Sequence, residues 1–129
     1  MKAKLFSILL LAILISSCEK YDEDVMEIAG VYEAHVTGVA GPFSMVISAD
    51  YGNSIKIDAP WLKDNWALIS ADVRDKEDYS KRIVIYSQNF DGNKRIYGEG
   101  VFQNYTLQID YTIVDGNDLY HYTLVGTKL

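Results

Sequence analysis

From Gly30 to the end of the chain, large apolar residues recur at every second position, the period of a strand with one buried face. Gly30 to Thr37 predicts a first strand, with Tyr32, Ala34 and Val36 on one side. In a second, Phe43, Met45 and Ile47 alternate with Ser44 and Ser48. Asp50 to Asn53 reads as a turn into Ile55-Lys56-Ile57, followed by a longer connection from Asp58 to Trp66 and a fourth strand from Trp66 to Val73. A charged loop, Arg74 to Ser80, precedes a fifth strand, Arg82 to Tyr86, that is apolar on both faces. Asp91-Gly92 signals a hairpin, because the central positions of a type I′ turn need positive φ. The sixth strand, Arg95 to Phe102, contains Gly98 and Gly100, and glycines inside a strand mark a bend or a close backbone approach. After Gln103-Asn104 comes the cleanest alternation, Leu107, Ile109, Tyr111 and Ile113 against Gln108, Asp110 and Thr112. Asp115-Gly116 then returns the chain through Tyr120 to Lys128.

The predicted fold is therefore all-β, since no segment carries a convincing helical period. Eight strands joined mainly by short turns form a meander, and eight is the number at which an antiparallel up-and-down meander closes into a small barrel. Closure also removes the sheet edges that template aggregation. A β-sandwich is the alternative architecture.

The first residues follow a different logic. Lys2 and Lys4 precede an apolar run from Leu5 to Ile15, and the chain turns small at Ser16-Ser17 before Cys18. These are the charged, apolar and small-residue parts of a secretory signal. The apolar run, about 11 residues, is too short to span a hydrocarbon core, which takes roughly 20 in a helix. Ile15-Ser16-Ser17-Cys18 resembles the lipobox of bacterial lipoproteins, in which cleavage precedes a cysteine that becomes a diacylglyceryl cysteine carrying further acyl chains such as palmitate. Cys18 is the single cysteine of the chain and has no intramolecular disulfide partner. The resemblance implies a multiply acylated Cys18, and two or more chains make membrane attachment stable.

The expected organisation is thus a signal peptide over 1–17, a lipidated cysteine and acidic tether over 18–26, and one barrel domain over 27–129. Removing the first 17 of 129 residues leaves 112, and takes away two lysines but no acid, so the net charge falls from −6 to about −8. Such acidity argues against nucleic acid and anionic headgroups as partners, since both reward Lys and Arg. An acidic run after the cysteine, Glu19 to Asp24, is similar to the signal that sends lipoproteins of Bacteroidetes-type bacteria to the cell surface. The expected location is the bacterial cell envelope, at the outer membrane, with the protein attached through acylated Cys18 and monomeric.

Ile28-Ala29-Gly30-Val31-Tyr32, a Gly-x-aromatic entering the first strand, is similar to the opening of lipocalin-like (calycin-type) domains, where the aromatic is usually Trp. The ending Tyr122-Thr123-Leu124-Val125-Gly126-Thr127-Lys128 resembles the last strand of small lipocalin-like β-barrel lipoproteins of Bacteroidetes-type bacteria. Such a resemblance implies non-catalytic binding of a small hydrophobic or amphipathic ligand. On that expectation Trp61 and Trp66 form a portal or stacking platform near the barrel mouth, because an indole offers a large apolar face and one donor. Phe43, Met45, Tyr111 and Tyr122, with Ile57, would line the cavity. The competing expectation has Trp66 in the core, Trp61 packed as a lid, and the barrel filled by its own side chains. The protein is then a surface-displayed module that binds a protein or glycan through exposed tyrosines.

Little in the chain points to catalysis or to a cofactor. His35 and His121 fall on different strands without Cys or close His partners, whereas zinc takes three or four spaced ligands. No nucleophile elbow or HExxH motif is present. Glu99 and Asp110, on neighbouring predicted strands, make the one carboxylate pair worth testing as a glycosidase-type acid and base. Their polar neighbours place them on a solvated face. No enzyme, no cofactor and no metal are expected.

Overall fold

A computed structural model describes residues 23–74 and 80–129. The signal sequence, Cys18 and the start of the tether lie outside the described residues. A short helix, α1 (Glu23–Ile28), is followed by eight strands: β1 (Gly30–Val36), β2 (Ala40–Ala49), β3 (Ser54–Leu62), β4 (Asn65–Arg74), β5 (Ser80–Phe90), β6 (Lys94–Gln103), β7 (Thr106–Asp115) and β8 (Asp118–Lys128). Each strand pairs antiparallel with the next, and β8 pairs with β1 through Tyr32↔Lys128 to Val36↔Leu124, so the meander closes. The expected eight-stranded up-and-down barrel is the observed fold, an architecture compatible with a lipocalin-like barrel.

Alternation sets the inner face. Tyr32, Ala34 and Val36 on β1, Met45 and Ile47 on β2, and Leu107, Ile109, Tyr111 and Ile113 on β7 are all buried. Each of the Val, Leu, Ile and Met side chains among them stabilises the fold by about 1.5–3 kcal/mol when fully removed from water. At Gly98 and Gly100 an added Cβ would lie 2.4 Å and 2.5 Å from the carbonyl oxygens of Asp110 and Gln108 on β7. Only glycine lets β6 approach β7 that closely, so these residues mark the close backbone approach, one of the two meanings the sequence offered for them. The Asp91-Gly92 hairpin also forms, with φ of 47° and 76°. Phe90 pairs with Lys94, so its loop is one residue longer than a two-residue type I′ turn. At Asp115↔Asp118 the turn is Gly116-Asn117, with positive φ at Gly116 alone.

Two expectations about local structure are corrected. The stretch read as a non-helical tether ends in α1, whose Val25 and Ile28 are fully buried and close one end of the barrel. Its terminal carbonyls find partners, as helix ends must: the Tyr32 hydroxyl donates to Ile28 O, and Lys128 Nζ donates to Glu27 O at 2.7 Å. Lys81, at the rim of β5, ion-pairs with Glu27 and lies 3.8 Å from Asp24. Six residues are too few to show a period, so α1 was invisible as a pattern. The second correction concerns the long connection after Ile57: β3 runs on to Leu62 and only Lys63-Asp64 separates it from β4. A proline has no N–H for a ladder and belongs at a strand edge. Pro60 meets that condition, because the register between β2 and β3 already ends at Val46↔Asp58.

Candidate functional site

The end of the barrel opposite α1 is closed by the β3–β4 hairpin. Pro60 pairs with Trp66 and Leu62 with Asn65, so Trp61 is the extra residue of a β-bulge. By alternation with Ile55, Ile57 and Ala59 its side chain points inward, and it is fully buried. The indole N–H donates to Ala67 O at 2.9 Å, and its ring meets Tyr111 edge-on at 5.1 Å. The bulge leaves the Trp61 carbonyl outside the ladder, and the Tyr111 hydroxyl donates to it at 2.7 Å. Burial pushes the Tyr111 phenol well above its ordinary pKa, with the neighbouring Tyr122 adding to the shift, so the hydroxyl remains a donor.

The two tryptophans expected at a portal and the four side chains, Phe43, Met45, Tyr111 and Tyr122, expected with buried Ile57 to line a cavity are divided by the fold. Trp61, Met45 and Tyr111 are interior, with exposures of 0%, 0% and 2%. A space beside them large enough for water would register as accessible surface, so the barrel is filled at their level. Trp66 is half exposed rather than part of the core, and packs edge-on against half-buried Phe43 at 5.5 Å. Its position follows from alternation, since Ile69, Ala71 and Val73 fix the inner face of β4 and put Trp66 on the outer one. Trp61 does cap the barrel end, as the filled-barrel expectation has it. Tyr122 lines an open groove.

That groove, of about 400 Å³, lies at the mouth between the tip of the β3–β4 hairpin and the β7–β8 hairpin. Leu62, Lys63, Asp64 and Asn65 form one wall, and Asp115, Tyr120 and Tyr122 the other. Tyr120 and Tyr122 occupy successive inward-facing positions of β8, where the strand runs past the rim. Their rings are nearly parallel, at 9° and 6.4 Å, and Tyr122 continues inward to Tyr111 at 5.7 Å. A line of aromatic rings thus runs from the groove down to the Trp61 plug. Tyr120, Asp64, Asn65 and Asp115 are not among the residues expected to bind a ligand, although the i, i+2 spacing of Tyr120 and Tyr122 already places both on one face.

A larger groove, of about 540 Å³, lies on the outer wall of β5, β6 and β7 and includes Glu99 and Asp110. These two carboxylates stand directly opposite each other in the register. Arg82 bridges to Glu99 at 2.7 Å, and Thr123 donates to Asp110 at 2.7 Å, so both are held as solvated acceptors on an exposed face. No aromatic side chain lines this groove. His121 Nδ1 lies 2.8 Å from Thr112 Oγ1. Among the described residues no three His, Cys, Asp or Glu side chains cluster to hold a metal. Compared with family models, curated proteins and solved structures, the chain matches none.

Proposed function

We propose that the chain is an envelope-anchored, non-catalytic interaction module of the lipocalin-like lipoprotein kind, held by acylated Cys18, that binds a saccharide in the mouth groove. The observation that carries the reading is the pairing of Tyr120 and Tyr122 with Asp64, Asn65 and Asp115 in one groove. Tyrosine rings offer apolar faces for the C–H side of a sugar ring. Carboxylates and an amide beside them accept from sugar hydroxyls, and bonds to ionised acceptors are the stronger ones. The filled barrel favours this reading over the first expectation, a hydrophobic ligand in the lumen, because that ligand requires Trp61 to leave. The tether also favours it. It joins the chain at the α1 end, so an acylated Cys18 would leave the groove facing away from the bilayer.

Titration with a panel of mono- and oligosaccharides, followed by NMR shifts and intrinsic fluorescence, tests the proposal. Saturable shifts at the groove residues are expected, with Tyr120→Ala weakening binding about tenfold, which corresponds to ~1.4 kcal/mol. Silence across the panel, together with saturable binding of an apolar fluorescent probe that Trp61→Ala weakens, would return the ligand to the interior and sink the saccharide reading. For the anchor, a Cys18→Ala protein that still fractionates with the membrane refutes lipidation.

A further inference from the structure

The hairpin that walls the mouth groove holds two like charges against each other. Asp115 and Asp118 are directly paired in the β7–β8 register, and residues opposed in this way carry their side chains on the same face of the sheet. That face is the barrel-facing one, because Asp115 continues the alternation of Tyr111 and Ile113, and Asp118 begins that of Tyr120 and Tyr122. Like charges directly opposite destabilise a strand pair, and here nothing relieves them. No described residue ion-pairs with or hydrogen-bonds either carboxylate, although Asp115 is half-buried. At the β5–β6 hairpin, by contrast, Asp91 has Lys94 at 3.5 Å and the Asn65 amide at 3.1 Å.

The groove surrounds this pair with groups of one kind. Asp64 stands on the opposite wall, and Asn65 turns its amide nitrogen to Asp91, which leaves its carbonyl oxygen as the group offered elsewhere. The rings of Tyr120 and Tyr122 share a wall with Asp115, and an aromatic face attracts a cation within about 6 Å of its centre. Lys63 is the one base of the lining, and its exposed side chain on the turn can extend into water. Acceptors and ring faces therefore dominate, which suits a ligand that brings donors and positive charge.

Resting on the saccharide reading of this groove, we propose that its ligand is an amino sugar with a free, protonated amine, seated with the ammonium at the Asp115–Asp118 pair and the sugar ring against Tyr120 and Tyr122. The ammonium supplies the countercharge that the hairpin lacks, so binding and relief of the repulsion are one event. Acidic sugars are rejected by the same charges.

The full-length protein in detergent, isotopically labelled, is titrated at about pH 6, below the range in which amines lose their proton. The ligands are three disaccharides that differ in one substituent per ring: di-glucosamine with ammonium groups, its di-N-acetyl form, and cellobiose with hydroxyls. Saturable amide shifts at Asp115, Asp118 and Tyr120 are expected, with di-glucosamine binding about tenfold more tightly than the other two, the scale of one hydrogen bond to a charged group. Added salt shrinks that preference by screening. Asp115→Asn abolishes the preference and raises the Tm of the unliganded protein by about 1–5 °C, because the repulsion is gone. Lys63→Gln strengthens di-glucosamine binding. A carboxylate that only held the turn would lower the Tm on substitution, and that result overturns the proposal. Equal affinities for the three disaccharides, or binding of neutral sugars alone, overturns it and leaves the saccharide reading standing. Silence from every sugar overturns both.

Discussion

Replacing Tyr111 with Phe deletes one oxygen and probes the closure of the barrel mouth. The bulge at Trp61 takes its carbonyl out of the β3–β4 ladder, and the Tyr111 hydroxyl, 2.7 Å away, partners it. The edge-on contact between the two rings at 5.1 Å does not involve the hydroxyl and survives the change. What is lost is a hydrogen bond whose acceptor stays behind, in a residue with no accessible surface. Leaving a buried acceptor unpaired costs about 1–3 kcal/mol. In a domain of this size each kcal/mol moves the Tm by about 4–8 °C, so the expected fall is about 5–20 °C. Urea denaturation at pH 7, with Tyr111→Phe measured beside Tyr97→Phe, separates the effect from the mere loss of a phenol. Tyr97 is exposed, and its substitution is expected to change stability by less than about 0.5 kcal/mol. If the two variants prove equally stable, the bulge carbonyl does not depend on Tyr111 and the account of the mouth fails.

The two tryptophans are expected to differ sharply, Trp61→Ala costing about 3–5 kcal/mol as a core truncation and half-exposed Trp66→Ala about 1 kcal/mol or less; equal losses by calorimetry would contradict the assignment of plug and outer-wall residue. Alkali is expected to destabilise the fold. Burial raises the Tyr32 and Tyr111 phenols above the ordinary value near 10, so their contribution is intact below about pH 10 and is lost as the pH climbs from there towards the folded-state values, because the unfolded chain ionises first. An ultraviolet titration in which both phenols ionise freely near pH 10, ahead of unfolding, would be inconsistent with this. Gly98→Ala drives a Cβ to 2.4 Å from the Asp110 carbonyl and 2.7 Å from the Tyr111 Cα, backbone atoms that cannot rotate aside. A loss of about 1–3 kcal/mol is expected from such overpacking, and a neutral result in urea would show that β6 need not approach β7 so closely there.

The alternation of apolar residues decided a great deal. It set which face of every strand is buried, and with the turn signals it gave the strand count from which closure follows. It even contained the fates of the tryptophans: Ile55, Ile57 and Ala59 lead inward to Trp61, whereas Ala67, Ile69 and Ala71 lead Trp66 outward. That signal was masked because Asp58 and Pro60 read as loop residues, and a strand can carry a proline only where its neighbour has already departed. Whether the neighbour departs is a matter of three-dimensional register.

The rest belonged to the tertiary structure for the same reason. A bulge is one residue out of step between two strands, so neither strand alone shows that Trp61 is supernumerary or that its carbonyl waits for Tyr111, 50 residues away. The mouth groove likewise arises from where pairing stops, and α1 closes the barrel with two side chains on a helix too short to have a period. The sequence by itself determined the alternation, the turns and a terminal motif made of adjacent residues, because each is a local property of the chain. Only closure of the barrel decided which aromatics became plug, wall and groove, because those roles depend on pairs of strands meeting out of step.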